Sequence, residues 1–254
     1  MELNKINFGV DGDSITAGEQ WSWHVYRTLG FASHYNVAVG SSVWYKRTFE
    51  TVKGIVTTQD YDDPDFAGIS GGWLETDDPV ELQMRANNCA VVHIQKYLAD
   101  VREGKAPVPD VFAFAMGTND DADFLGDPEK ALRGKSLDDN PDIDLFTEAG
   151  AMRWCIQKIA ENFPDVRIFV LTPIQTAKTE HNAKIERQIS EVFIKIANGM
   201  SVQLVDCHHG CGICEKFEVA DGEGRYLMDG LHPKADGQAR EGAFAAAQIR
   251  AKLY

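Results

Sequence analysis

The stretch Ile6-Asn7-Phe8-Gly9-Val10-Asp11-Gly12-Asp13-Ser14-Ile15-Thr16 carries an apolar run straight into Gly-Asp-Ser, and a segment of helical period follows it. A near-continuous apolar run is how a strand buried on both faces of a parallel sheet reads. Gly12 permits a sharp turn at the strand end, which sets Ser14 at the carboxyl end of that strand. There its hydroxyl can face a cleft, and its own N–H lies near a helix N-terminus, where backbone donors are unpaired. Taken alone, Asp13 and Ser14 would serve equally well as turn and N-cap residues.

Outward from this stretch the same grammar repeats. Apolar runs recur at 35–39, 111–116, 166–171 and 202–205, alongside the first at 6–10. Segments of helical period lie between and after them, at 18–29, 80–101, 146–162, 180–198 and 234–252. Ile185, Ile189, Val192, Phe193 and Ile196 show the i, i+3/i+4, i+7 spacing of a helix with one buried face. Strands alternating with helices imply βαβ units with right-handed crossovers, hence an α/β protein built as a three-layer α/β/α sandwich. Two stretches interrupt the alternation, 45–79 and 120–144, and long loops at strand ends are more often functional than idle. No linker divides the chain, so 1–254 is expected to be a single domain.

The length of 254 residues suits one sizeable domain. Lys and Arg total 25 against 39 Asp and Glu, a net charge of −14, and a surface this acidic repels phosphate backbones and anionic membranes. Nucleic acid is therefore excluded as a partner. No apolar run approaches the ~18–20 residues that span a bilayer. The beginning, Met1 to Phe8, lacks the charged-then-apolar pattern of a signal peptide. The expectation is a cytoplasmic protein, or a secreted one whose leader has been removed. The cysteines, Cys89, Cys155, Cys207, Cys211 and Cys214, are odd in number and do not form a disulfide framework, so reduced thiols are expected.

Three further motifs carry chemistry. Met116-Gly117-Thr118-Asn119-Asp120 follows the third apolar run, and Asn119 there offers an amide donor able to stabilise an oxyanion. Asp229-Gly230-Leu231-His232-Pro233 places a carboxylate and an imidazole three residues apart on one tight turn, which is what a general base and its orienting acid need. Asn36-Val37-Ala38-Val39-Gly40-Ser41-Ser42 ends a strand in small residues, which let a backbone N–H approach a ligand closely.

The ordered set, running from Gly9 to about Gly237, resembles the sequence blocks of the SGNH (GDSL-type) hydrolase superfamily. That resemblance implies a flavodoxin-like sandwich with a five-stranded parallel sheet, and a cofactor-free serine hydrolase acting on esters. It implies Ser14 as nucleophile, His232 as base and Asp229 as third triad member. The oxyanion hole would draw on the N–H of Ser14, the side chain of Asn119 and a backbone N–H in the second block. The family's glycine usually sits five residues after the Asn, at what is Ser41 here, with Gly40 one earlier. Gly40 is taken as the donor, with Ser41 the alternative. The Gly-x-Ser-x-Gly elbow of α/β-hydrolases is absent around Ser14.

The expected substrate is a small-molecule or carbohydrate ester bearing a short acyl group, acetyl first. Rival readings are a lipase or thioesterase, a non-catalytic carbohydrate-binding or assembly module on the same fold, and a metal-dependent hydrolase. The last would use the segment 207–214, where Cys211 and Cys214 have C-x-x-C spacing and His208 and His209 lie beside them. No second ligand pair completes a zinc site in the sequence, so no metal is expected there. Trp21, Trp23, Trp44, Tyr45 and Trp73 could stack on sugar rings or cover the core. The acidic run 60–65 lacks the ligand spacing of a calcium loop and reads as solvated.

Overall fold

Phe8 and Val10 of the first strand point to one side of a sheet and Gly9 to the other, where a Cβ on Gly9 would stand 2.6 Å from the Phe112 ring. The computed structural model describes residues 2–18, 20–51, 54–73 and 75–253. Residue 19 of the expected first helix, residues 52, 53 and 74 of the first long loop, and both chain ends lie outside them.

In chain order the elements begin with β1 (Asn7–Gly12), α1 (Trp21–Leu29), β2 (Ser33–Asn36), and the strands β3 (Thr48–Thr51) and β4 (Gly54–Thr57). They continue through α2 (Pro79–Ala86), α3 (Ala90–Arg102), β5 (Val111–Ala115), α4 (Pro128–Ala131) and α5 (Glu148–Asn162). The last are β6 (Arg167–Leu171), α6 (Thr179–Gln188), α7 (Ile194–Gly199), β7 (Gln203–Val205), α8 (Cys207–Gly210) and α9 (Ala235–Leu253). The main sheet has five strands in the order β2-β1-β5-β6-β7, all parallel.

Alternation along each strand feeds two cores. Val111 and Ala113 of β5 and Phe169 and Leu171 of β6 pack with α1 and α9, against Trp21, Val25, Ala245 and Ile249. Phe112, Phe114, Ile168 and Val170 pack on the opposite face with α3 and α5, against Ile94, Tyr97, Met152 and Ile156. Burial of both faces is why these strands read as unbroken apolar runs.

Four boundaries differ from the sequence expectation, each for a tertiary reason. The second strand ends at Asn36, because the Asn36 side chain takes the carbonyl of Thr16 (2.8 Å) and the N–H of Ala38 (2.9 Å). Val37 and Val39 still donate to the carbonyls of Val10 and Gly12, so the chain follows β1 further without regular pairing. The helix expected over 80–101 is broken between α2 and α3, where Asn87 bonds Gln59 N–H (2.7 Å) and Gly68 O (2.9 Å) and Asn88 bonds Gly40 O (2.9 Å). The long stretch 45–79 holds the antiparallel pair β3 and β4. Helix 180–198 runs as α6 and α7 joined by a π turn, Ile189–Phe193.

Candidate active site

Ser14 sits just past β1, in a single helical turn closed by Thr16 N–H and Ala17 N–H on Asp13 O. The Asp13 carboxylate caps that turn through Ile15 N–H at 2.9 Å. Gly12 is required by close approach: a Cβ there would lie 2.4 Å from Ala115 O and 2.4 Å from Thr16 Oγ1. The motif 116–120 follows β5, the neighbour of β1, so Ser14 and Asn119 emerge at the same end of adjacent strands.

The third motif reaches this point from the far end of the chain. Ser14 Oγ is 2.9 Å from His232 Nε2, and His232 Nδ1 is 2.8 Å from Asp229 Oδ2. A carboxylate only accepts, so Nδ1 carries the proton and Nε2 is left to accept from the serine hydroxyl. The other Asp229 oxygen accepts the N–H groups of Leu231 (3.0 Å) and His232 (2.7 Å). Burial pushes the Asp229 carboxyl up, but those N–H bonds and the His232 ring outweigh it and hold it below the usual carboxylate range. Gly230 makes the turn with φ of 80°, and a Cβ on it would meet Ala220 O at 2.5 Å.

The motif 36–42 curls round Ser14 from the other side. A Cβ on Gly40 would stand 3.8 Å from Ser14 Cβ. Three successive carbonyls of this loop are pinned by side chains: Gly40 O by Asn88 Nδ2 (2.9 Å), Ser41 O by Arg47 Nη2 (2.9 Å) and Ser42 O by Asn119 Nδ2 (3.1 Å). Val39 O accepts Ser42 N–H, and in a trans peptide the Gly40 N–H points the opposite way to that carbonyl. Among the described residues the N–H groups of Ser14, Gly40 and Ser41 have no protein acceptor. The Asn119 amide has two hydrogens. One is spent on Ser42 O, which orients the group, and the other is free.

A model of the GDSL-like lipase/acylhydrolase family matches residues 11–240, a span that contains every one of these motifs. The chain belongs to that family. It is accordingly an ester-hydrolysing enzyme. Its fold is similar to that of a possible lipase from Chitinophaga pinensis (14% identity, TM-score 0.56, covering 97% of this chain and 98% of that one). It is also similar to a lipase/acylhydrolase from Enterococcus faecalis (13%, 0.52, 97% and 96%) and a carbohydrate acetylesterase from Sinorhizobium meliloti (16%, 0.52, 98% and 100%). A search of the curated proteins gives no match.

Two supports of this GDSL-family site were invisible in its motifs. The first is a buried chain of hydrogen bonds. Asp11 Oδ1 meets His93 Nδ1 (2.8 Å), His93 Nε2 meets Asn88 Oδ1 (3.1 Å), and Asn88 holds Gly40 O. In the sequence its one trace is Asp11, a charged residue directly after the apolar run 6–10. The second is α6, whose Lys184 Nζ donates to Thr118 O (2.8 Å) and whose Gln188 Nε2 donates to Gly117 O (3.1 Å). Gly117 has φ of 126°, and a Cβ there would press on Phe193 and Pro173 at 3.0 Å. The loop bearing Asn119 is thus clamped from below by one helix face.

Beside Asn119 opens a cleft of about 590 Å³ walled by Tyr45, Phe49, Trp73, Phe124 and Phe146, with Arg47 among them. The Arg47 guanidinium lies 5.7 Å from the centre of the Trp73 ring. Of the aromatics noted in the sequence, only Tyr45 and Trp73 line this cleft. Trp21 and Trp44 are fully buried core residues, and Trp23 packs against Tyr26 on α1. In the acidic run, Asp60 takes Lys46 Nζ at 2.6 Å and Gln95 Nε2 at 3.1 Å. Among the described residues no helix is long and apolar enough to cross a membrane.

Buried carboxyls cluster beneath the site. Burial pushes Asp13 up to about 6 against the relief of Ile15 and Thr118, and pushes Glu241 up to about 8. Asp120 and Glu148 are raised in the same way, by burial first, with the charge of Asp13 adding to the first and that of Asp120 to the second. A carboxyl raised on folding binds its proton more tightly in the native state. Its stabilisation is therefore complete below the unfolded pKa and is lost as pH climbs through the folded one. His181 is pushed down to about 4 by burial and acts oppositely, but only between that value and 6.5. Above pH ~6.5 the carboxyls remain in play, and His209, raised against burial by its bonds to Asp206 and Glu186, acts in the same direction. Between pH ~6.5 and ~8.5 we expect stability to fall by on the order of 1–2 kcal/mol and the melting temperature by roughly 3–6 °C. Thermal unfolding across that range checks it, and a flat or rising curve would contradict the buried acids.

Proposed function

We propose that this chain is a serine esterase that removes short acyl groups, acetyl foremost, from a carbohydrate, through an acyl-serine intermediate. The observation carrying the reading is the line of contacts from Asp229 through His232 to Ser14, with unpaired donors gathered round the same serine. His232 Nε2 takes the Ser14 proton as Oγ attacks the acyl carbonyl carbon. The oxyanion is held by the N–H of Ser14, the N–H of Gly40 and the free hydrogen of Asn119. The imidazolium then gives its proton to the departing alcohol. Water enters, loses a proton to His232 and attacks the acyl carbon; the Oγ–acyl bond then breaks as the imidazolium returns the proton to Ser14 Oγ and the acid leaves.

Substrate class rests on the cleft. Flat aromatic walls with a guanidinium suit a sugar ring and its hydroxyls, and the acidic surface disfavours anionic lipid. The likeness in fold to a carbohydrate acetylesterase agrees with this choice. The test compares acetyl, butyryl and octanoyl chromogenic esters with an acetylated sugar. Acetyl preference with sugar deacetylation is the expected result. Preference for octanoyl would make the enzyme a lipase, and no hydrolysis of any ester would leave a binding module.

Asn119→Ala is expected to lower kcat by about 10²–10³-fold with little change in KM, because an oxyanion donor acts mainly on the transition state. Steady-state kinetics on the acetyl ester measures the split. A loss confined to KM would make Asn119 a substrate-positioning residue.

A further inference from the structure

We propose a transition-metal site, suited to zinc, formed by Glu186 of α6 with His208 and His209 of α8. Glu186 Oε1 lies 2.9 Å from His209 Nε2 and 3.4 Å from His208 Nε2, and the three ligand atoms all fall within 4.8 Å of one another. Four ligands around zinc at ~2.0–2.1 Å stand about 3.3 Å apart, so these separations bracket a tetrahedral shell.

The hydrogen bonds behind the ligands make the case. His208 Nδ1 is 3.2 Å from Pro173 O. A carbonyl can only accept, so Nδ1 carries the proton and a neutral ring presents its Nε2 lone pair to Glu186. His209 Nδ1 is held by Asp206 Oδ2 at 2.8 Å and its Nε2 donates to Glu186 Oε1 at 2.9 Å, so a cation binds here by displacing the Nε2 proton. The two Nε2 atoms and a carboxylate oxygen therefore converge within 4.8 Å of one another, and a divalent cation between them would take the place of the bridging proton. A carbonyl or carboxylate behind each imidazole is the usual outer shell of a metal-bound histidine. The mounting is firm: His208 is buried, its N–H donates to Thr172 Oγ1 (3.0 Å) and its carbonyl accepts from Gln175 (3.1 Å). Glu186 and His209 are exposed, which leaves a fourth position open to water. Two nitrogen ligands favour zinc, cobalt or nickel over calcium or magnesium.

The cysteines of the same segment are not part of it. Cys207 and Cys211 are packed into the apolar core with Ala245 and Ile249 of α9. The metal would staple α8 to α6, the helix that clamps the carbonyls of Gly117 and Thr118, and the proposal stands independently of the esterase chemistry.

The test uses the full chain, stripped with a chelator and titrated with Zn²⁺ against a chromophoric chelator. Wild type should take up about one equivalent. Glu186→Gln and His209→Ala, both surface changes whose fold circular dichroism can verify, should each weaken binding at least about tenfold. Co²⁺ should give a visible tetrahedral spectrum without intense thiolate charge-transfer bands. Absence of stoichiometric uptake by wild type, undiminished uptake by both variants, or a thiolate spectrum would each overturn the proposal.

Discussion

Ser14→Ala is expected to remove ester hydrolysis, by several orders of magnitude in kcat/KM, while the protein stays folded. The hydroxyl bonds only His232 Nε2, and the turn that holds the residue is closed by Asp13, Thr16 and Ala17, none of which uses that side chain. The backbone N–H of residue 14 survives the change, so the loss isolates the nucleophile from the oxyanion donor. A serine-directed phosphonate should attach to Ser14 in wild type and to nothing in the variant. Activity within about tenfold of wild type would end the assignment of Ser14, and the rest of the proposed mechanism with it.

Asp229→Asn is expected to lower kcat/KM by about 10³-fold or more. An amide turned with its NH₂ toward His232 Nδ1 favours the tautomer that puts a proton on Nε2, facing Ser14 and useless as a base. One turned with its oxygen inward keeps the geometry but loses the charge that stabilises the imidazolium. The structural cost is small, because the asparagine oxygen can still accept the N–H groups of Leu231 and His232, as Asp229 Oδ1 does at 3.0 and 2.7 Å. A variant with unchanged kcat and kcat/KM would show that His232 is oriented by something else.

These predictions draw on features of different origin. The pairing of Asp229 with His232 is local: three residues and a glycine turn bring the two together whatever the rest of the chain does, so it is readable from spacing. The alternation of strand and helix is readable for a similar reason. A strand covered on both faces has no polar face to show, and residues 6–10, 111–116 and 166–171 betray that burial directly.

The outcomes that needed tertiary structure involve partners distant in sequence. A Cβ on Gly40 would stand 3.8 Å from Ser14 Cβ, and Asn88, Arg47 and Asn119 pin the carbonyls of residues 40–42 beside it. Asn88 does this from the break between α2 and α3, in a segment that periodicity alone would continue as one helix from 80 to 101. Trp21 and Trp44, plausible sugar platforms by position, are consumed by the two cores, while Trp73 is left in the cleft. Glu186 meets His208 and His209 because β6 and β7 are neighbours, which brings α6 against α8. The sequence by itself determined the layers, the parallel sheet, and the strand ends and local turns that carry the chemistry, because each of those is written in short-range pattern. Only the tertiary structure decided how residues 40–42 are held beside the serine, which aromatics line the cleft and which carboxylate stands against His208 and His209, because strand order and crossover packing, not spacing, set those distances.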